Sequence, residues 1–175
     1  MNVWGALAGG FAGTLVLTTV LRAANELKLT RMDIPFLLGT AFTADRTRAK
    51  ALGYVLHFVA GLIFALGYYA AFAVIHHSGW LLGALFGLVH GLFSGTALVN
   101  ILLPLVHPRM GTALTSAPGV ALLEPPGFLL LNYGPATPVV SLLAHVVYGA
   151  IVGGFTALAG LSADSPPNRP NAFTL

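Results

Sequence analysis

Three histidines, His57, His90 and His145, each sit inside a long apolar run that contains no Asp, Glu, Lys or Arg. Neutral imidazole carries one hydrogen-bond donor and one acceptor, ligates metals, and titrates near neutral pH. An ionisable side chain inside a membrane span is costly and marks a candidate functional site. Two of the three share a local frame. His57 lies in Gly53-xxx-His57-xxx-Gly61-xxx-Ala65 and His145 in Ser141-xxx-His145-xxx-Gly149-xxx-Gly153. Steps of four put each set on one helical stripe. Two imidazoles on facing helices at one depth suit bis-histidine haem b, and a single one suits the magnesium of a chlorin pigment. His57, His145 and His90 are therefore the candidate cofactor-binding residues. A second reading gathers His57, His107, His145 and Glu124 into a metal or proton site at one membrane face, because imidazole with carboxylate suits zinc or iron. In a third, each histidine bonds a Ser, Thr, Tyr or backbone carbonyl of a neighbouring helix. Such bonds contribute about 0.6–2 kcal/mol in membranes, and the chain would then carry no chemistry. All three readings stay open at this point.

The elements that must position these residues are legible from hydropathy. Four uncharged apolar runs cover residues 3–21, 51–75, 80–106 and 139–161. A bilayer core needs about 20 such residues in a helix. Only 7% of the 175 residues are charged and 57% are hydrophobic, against about 25% charged in soluble domains. The expectation is an all-α polytopic membrane protein: one four-helix transmembrane domain over 1–161, followed by a polar, Pro-rich tail over 162–175. The N-terminus lacks a basic segment and Arg22 follows the first run, so helix 1 reads as retained, not as a cleaved signal.

Six of the eight Lys and Arg residues lie in the first connection, 22–50. Basic residues beside spans mark the cytoplasmic side, which puts both termini on the outer side. They carry no nucleic-acid signal, which would need a basic exposed face. His76-His77-Ser78-Gly79 is then a tight outer turn, and helices 2 and 3 form an antiparallel hairpin. Trp4 and Trp80 lie at outer helix ends, as aromatic belt residues should, and Tyr68 and Tyr69 approach the same interface. The third connection, 107–138, returns to the cytoplasmic side. Its segment 112–131 is apolar but interrupted by Pro118, Gly119, Pro125, Pro126 and Gly127. Non-helical backbone cannot face lipid, so this segment is either re-entrant between the helices or covered by a partner subunit.

Counting helix rise at about 1.5 Å per residue places His57 and His145 level, each roughly 9 Å in from the cytoplasmic side. It places His90 roughly 15 Å in from the outer side, far from that pair. Glycine stripes run along helix 3 (Gly83, Gly87, Gly91, Gly95) and helix 1 (Gly5, Gly9, Gly13). They read first as close helix packing; the rival reading is that glycine beside histidine clears space for a flat cofactor. The absence of Cys excludes disulfides and thiolate ligation. No nucleophile–base order, P-loop or dinucleotide glycine motif is present, so no enzyme chemistry is expected. Transport is disfavoured because helices 2 and 4 run in the same direction, so their repeat is not inverted.

Met32-Asp33-Ile34-Pro35, Leu56-His57-Phe58-Val59-Ala60-Gly61 and Ala144-His145-Val146-Val147-Tyr148-Gly149, taken with Gly111 and the Pro/Gly-rich third connection, are familiar together. The chain resembles small uncharacterised bacterial four-helix integral membrane proteins over most of residues 1–161. The resemblance implies the four-helix topology and a bacterial inner membrane, and it assigns no catalytic residue. The small polar surface and the uncovered apolar connection add a further expectation. The protein should be an accessory or structural subunit of a larger membrane complex, energy-transducing in one version, with lipid and other membrane subunits as its partners.

Overall fold

The computed structural model describes residues 2–110 and 121–163. Helix α1 covers Val3–Glu26, a short α2 covers Ile34–Gly39, α3 covers Arg46–Ile75, α4 covers Trp80–Val106 and α5 covers Thr137–Ala163. The four long ones are long and apolar enough to cross a membrane, and the described residues contain no strand. Each of the four overlaps one apolar run, and three run past it into polar residues. At α3 the added turn is capped by Asp45, whose carboxylate accepts the Arg48 N–H at 2.8 Å. Of the segment 112–131, residues 112–120 lie outside the described residues, as does the tail from residue 164.

Helix α5 is the centre of the bundle. Gly5, Gly9 and Gly13 of α1 face Phe155, Val152 and Tyr148 of α5, and Gly83 and Gly87 of α4 face Gly149 and the His145 carbonyl. On the other side of α1, Gly10 meets Ala65 and Gly61 meets Thr14 of the α1–α3 pair. A methyl group at Gly83 or Gly149 would overlap the opposing backbone. With no hydrophobic driving force between helices in lipid, such backbone proximity is the main source of packing energy. These glycines are therefore filled by neighbouring helices, and the reading in which they clear a slot for a flat cofactor is corrected.

Helices α3 and α4 are antiparallel, as the four-residue turn requires, but their backbones scarcely approach. Aromatic rings fill the gap between them. Phe72 stacks on Phe86 with centroids 5.2 Å apart, Tyr68 meets Phe86 edge-on at 5.7 Å, and Phe64 lies 3.9 Å from the His90 ring. Three interfaces are thus closed by small residues, and the fourth is held open by large ones.

The long connections fold back on the bundle. Asp33 caps α2 through the Phe36 N–H at 3.0 Å and pairs with Lys50 at 3.2 Å. Gly53 and Gly39 let α2 lie against α3, since a side chain at either would strike the backbone of Pro35 or Ala49. Within α4, residues Ser94–Leu102 form a π-helical stretch. Pro104 has no N–H, and its ring would crowd the carbonyl four residues back; widening the turn relieves both. The Asn100 amide donates to the Gly95, Thr96 and Gly127 carbonyls at 3.0–3.3 Å, tying the loosened stretch to the third connection.

Close packing makes a contrast between two glycines. Gly87→Leu should lower stability by about 1–3 kcal/mol, because added carbon has no space against α5. Gly67→Ala should be neutral or stabilising by up to about 1 kcal/mol, because a methyl there meets nothing within 4 Å. Unfolding midpoints of the two variants in one detergent check the pair.

Candidate functional site

Between α1, α3, α4 and α5 lies a cavity of about 390 Å³ whose wall is mostly apolar. His57, His90 and His145 all line it, one from each of α3, α4 and α5. His90 and His145 touch edge-on, with ring centroids 4.8 Å apart. Tyr148 reaches across from α5 and donates to the Gly61 carbonyl on α3. Gly61 lies one turn beyond His57, and Tyr148 nearly one turn beyond His145, so these two histidines are level, as expected.

The placement of His90 far from them is corrected. A Cβ at Gly91 would lie 3.0 Å from the Cβ of His145, so His90 is level with His145. Counting from helix ends failed because the ends are not level. Helix α4 continues well past this point to Val106, whereas α5 starts only at Thr137. Tyr68, expected to approach the outer interface, turns inward instead. It is 7% exposed and lies 3.2 Å from His90 Nδ1. The helical period carries the stripe of His57, Gly61 and Ala65 on to Tyr68 and Phe72, and that was the available signal. Trp4 and Trp80 are exposed at the hairpin end, as a belt requires.

Hydrogen bonding assigns the tautomers. His145 Nδ1 lies 2.7 Å from the Ser141 carbonyl, so Nδ1 carries the proton and Nε2 is an acceptor. Tyr68 is buried, and His90 Nδ1 is its hydrogen-bond partner among the described residues. A buried hydroxyl needs an acceptor for its proton, so Tyr68 donates to Nδ1 and His90 Nε2 becomes an N–H donor. Two further polar atoms, His57 Nε2 and Ser141 Oγ, are buried with no hydrogen-bond partner among the described residues. Both residues line the same cavity. A mostly apolar chamber is therefore lined by a donor on His90, an acceptor on His145 and, among the described residues, two unpartnered polar atoms.

The cavity opens toward the connection end, where Arg31, Asp33 and Glu124 line it. A strap crosses this mouth. Arg31 makes a two-pronged pair with Glu124, both contacts at 3.0 Å, and its guanidinium also donates to the Asn132 carbonyl. Its backbone N–H bonds the Tyr133 carbonyl at 2.7 Å. Arg31 and Glu124 are 66% and 47% exposed, so the pair contributes at most about 1 kcal/mol. Tyr133 donates to the Glu124 carbonyl at 3.0 Å. Burial pushes its phenol above the ordinary range, the Glu124 carboxylate adds to that and Arg31 opposes it, so it stays a neutral donor at physiological pH. Leu129 and Leu130, at φ 50° and 65°, hold left-handed backbone under the strap. Leu129 rests on Gly95 of α4, and Leu130 is buried in the core.

His107 is elsewhere. It is 3% exposed, its Nε2 donates to the Leu37 carbonyl at 2.9 Å, and its Nδ1 accepts from the Arg109 N–H at 3.2 Å. With Arg109 donating to the Thr40 carbonyl at 3.0 Å, it pins the end of α4 to α2. The grouping of His57, His107, His145 and Glu124 as one metal site is corrected on this geometry. Among the described residues, no three His, Asp or Glu side chains come together as a metal site.

Two imidazoles on opposite faces of one metal have metal–nitrogen bonds of about 2.0–2.1 Å, which sets their centroids roughly 6 Å apart. His90 and His145, at 4.8 Å and edge-on, pack against each other instead. His57 Nε2 has no partner among the described residues and the Ser141 bond leaves His145 Nε2 unprotonated, so these are the two rings with a nitrogen to offer a metal.

No family model, curated protein or solved structure matches the chain.

The contrast between cavity and anchor histidines is testable. His107→Leu should cost about 1–3 kcal/mol of stability, because the Leu37 carbonyl and the Arg109 N–H lose their partner. It should leave the mass and amount of any molecule bound in the cavity unchanged, as native mass spectrometry would read.

Proposed function

We propose that this chain holds a small, largely apolar ligand in the cavity beneath His57, His90 and His145, and does so as an accessory subunit of a larger complex in the bacterial inner membrane. The observation that carries the reading is the convergence of polar atoms without partners on one apolar chamber. Each unpartnered buried polar group costs about 1–3 kcal/mol, more where no water is near. A ligand head that bonds them recovers that cost, and an apolar body fills the rest. The volume lies within the usual range for small-molecule sites, about 300–1,000 Å³.

The subunit role is supported by the surface. Large apolar side chains are exposed along all four spans, among them Leu85, Val59, Ile63 and Leu158, and the apolar Leu122 and Phe128 of the third connection are exposed as well. Arg22, Lys28, Arg31, Arg46, Arg48, Lys50 and Arg109 all belong to the connection end of the bundle. By the positive-inside rule that end is cytoplasmic and both termini lie outside. A redox-active ligand would make the complex an energy-transducing one.

Haem b is the second reading, and the Nε2 atoms of the level pair His57 and His145 favour it. The packed glycines do not support it, since none of them leaves a slot for a macrocycle.

Native mass spectrometry from mild detergent reads both parts of the proposal. The expected result is the chain with a bound small molecule and with at least one co-purifying chain, the small molecule being lost in His145→Leu. A bare monomer from native membranes would overturn both parts. An absorption spectrum of the same sample, oxidised and dithionite-reduced, tests the second reading. A Soret band that disappears in both His57→Ala and His145→Ala would establish haem, and a flat spectrum would remove it.

A further inference from the structure

We infer that the ligand is a ring-headed membrane lipid, a quinone or quinol, and that it enters sideways from the bilayer through the groove between α3 and α4. This rests on the ligand-holding reading above and adds the chemical class and the route.

The groove is a second cavity of about 280 Å³, lined by Phe64, Gly67, Phe86, Val89, His90 and Phe93, with Tyr68 at its floor. Phe64 and His90 also line the central chamber. Two rings are therefore the shared wall between a lipid-facing groove and the buried polar atoms. Helices α3 and α4 meet here through aromatic side chains, which move by rotamer changes, whereas the other interfaces are closed by small residues. Opening this wall disturbs no close helix contact. Opening the mouth at the connection end means breaking the Arg31–Glu124–Asn132 strap.

Gly67 is the second observation. Glycine within a helix is less favourable than alanine by about 0.8–1 kcal/mol, and most helical glycines of this bundle recover that by letting a neighbour approach. Gly67 has no such neighbour, since a Cβ there would meet nothing within 4 Å. What its missing side chain leaves open is the groove.

The chemistry names the head group. His90 Nε2 is a donor and His145 Nε2 an acceptor, with the rings 4.8 Å apart. A quinone carbonyl accepts from His90, and a quinol hydroxyl donates to His145. Phe64, Tyr68 and Tyr148 surround His90 at centroid distances of 3.9–6.0 Å, offering faces and edges to a flat ring. An apolar tail continues along the groove into lipid. A phospholipid has no flat head, and its phosphate would find no cation among the residues around His90.

The test uses the full chain in phosphatidylcholine nanodiscs with tritiated decylbenzoquinone as probe. Saturable binding of one probe per chain is expected. His90→Leu should weaken it about tenfold, the loss of one hydrogen bond from a buried site. Gly67→Trp and, separately, Val89→Trp should each slow uptake about tenfold or more by filling the groove, while Leu85→Trp on the outer lipid face should not. Absence of saturable binding in a protein that still carries another extractable molecule would overturn the quinone class and leave the cavity reading standing. Normal uptake in both groove variants, with faster uptake in Arg31→Gln, would overturn the lateral route. Absence of both probe binding and any extractable molecule would overturn the cavity reading itself.

Discussion

Where Gly83 meets Gly149, two helix backbones touch with no side chain between them. That contact, repeated at Gly87 and mirrored where Gly9 and Gly13 meet α5, makes α5 the fixed axis of the bundle. Water supplies no drive between helices in lipid, so stability must come from close approach. Close approach needs glycine, and glycine leaves no side chain with which to adjust the fit. Three of the four interfaces are consequently rigid in register, and this register brings residues 57, 90 and 145 to one level.

The fourth interface follows a different rule. Phe64, Tyr68 and Phe72 face Phe86 and His90 across a gap that backbones do not close. Rings fill space without imposing a single register, and they leave volume beside them. The central cavity and the lipid-facing groove both arise from this one departure from small-residue packing. The polar atoms of the site sit where the rigid and the adjustable sides of the bundle meet. His145 belongs to the rigid side, held by the Ser141 carbonyl, and His90 belongs to the aromatic side, held by the Tyr68 hydroxyl.

The connections close the structure at its charged end by short-range polar links. Asp33 caps α2, His107 joins α4 to α2, and Arg31 joins the first connection to the third. The cap is local, but the other two links join residues far apart in sequence, Arg31 with Glu124 and His107 with Leu37. Histidine thus serves two ends in one chain. At His107 both ring nitrogens have partners and the role is anchoring, while His57, His90 and His145 line the cavity.

The spans, their number and the concentration of basic residues at one end were determined by the sequence, because hydropathy and charge are local properties that need no neighbour. So was the level placement of His57 and His145, whose helices run in the same direction and carry the same frame of small residues. The glycine stripes were legible as packing surfaces for the same reason. Only the tertiary structure decided where His90 and Tyr68 lie, since helix α4 overshoots the start of α5 and counting from helix ends measures nothing across that offset. It alone separated His107 from the cavity and bound Glu124 to Arg31, because those choices depend on how two long connections fold over one another. It alone left Gly67 open while filling the other glycine stripes, a difference that comes from which neighbour stands opposite and not from the residue type.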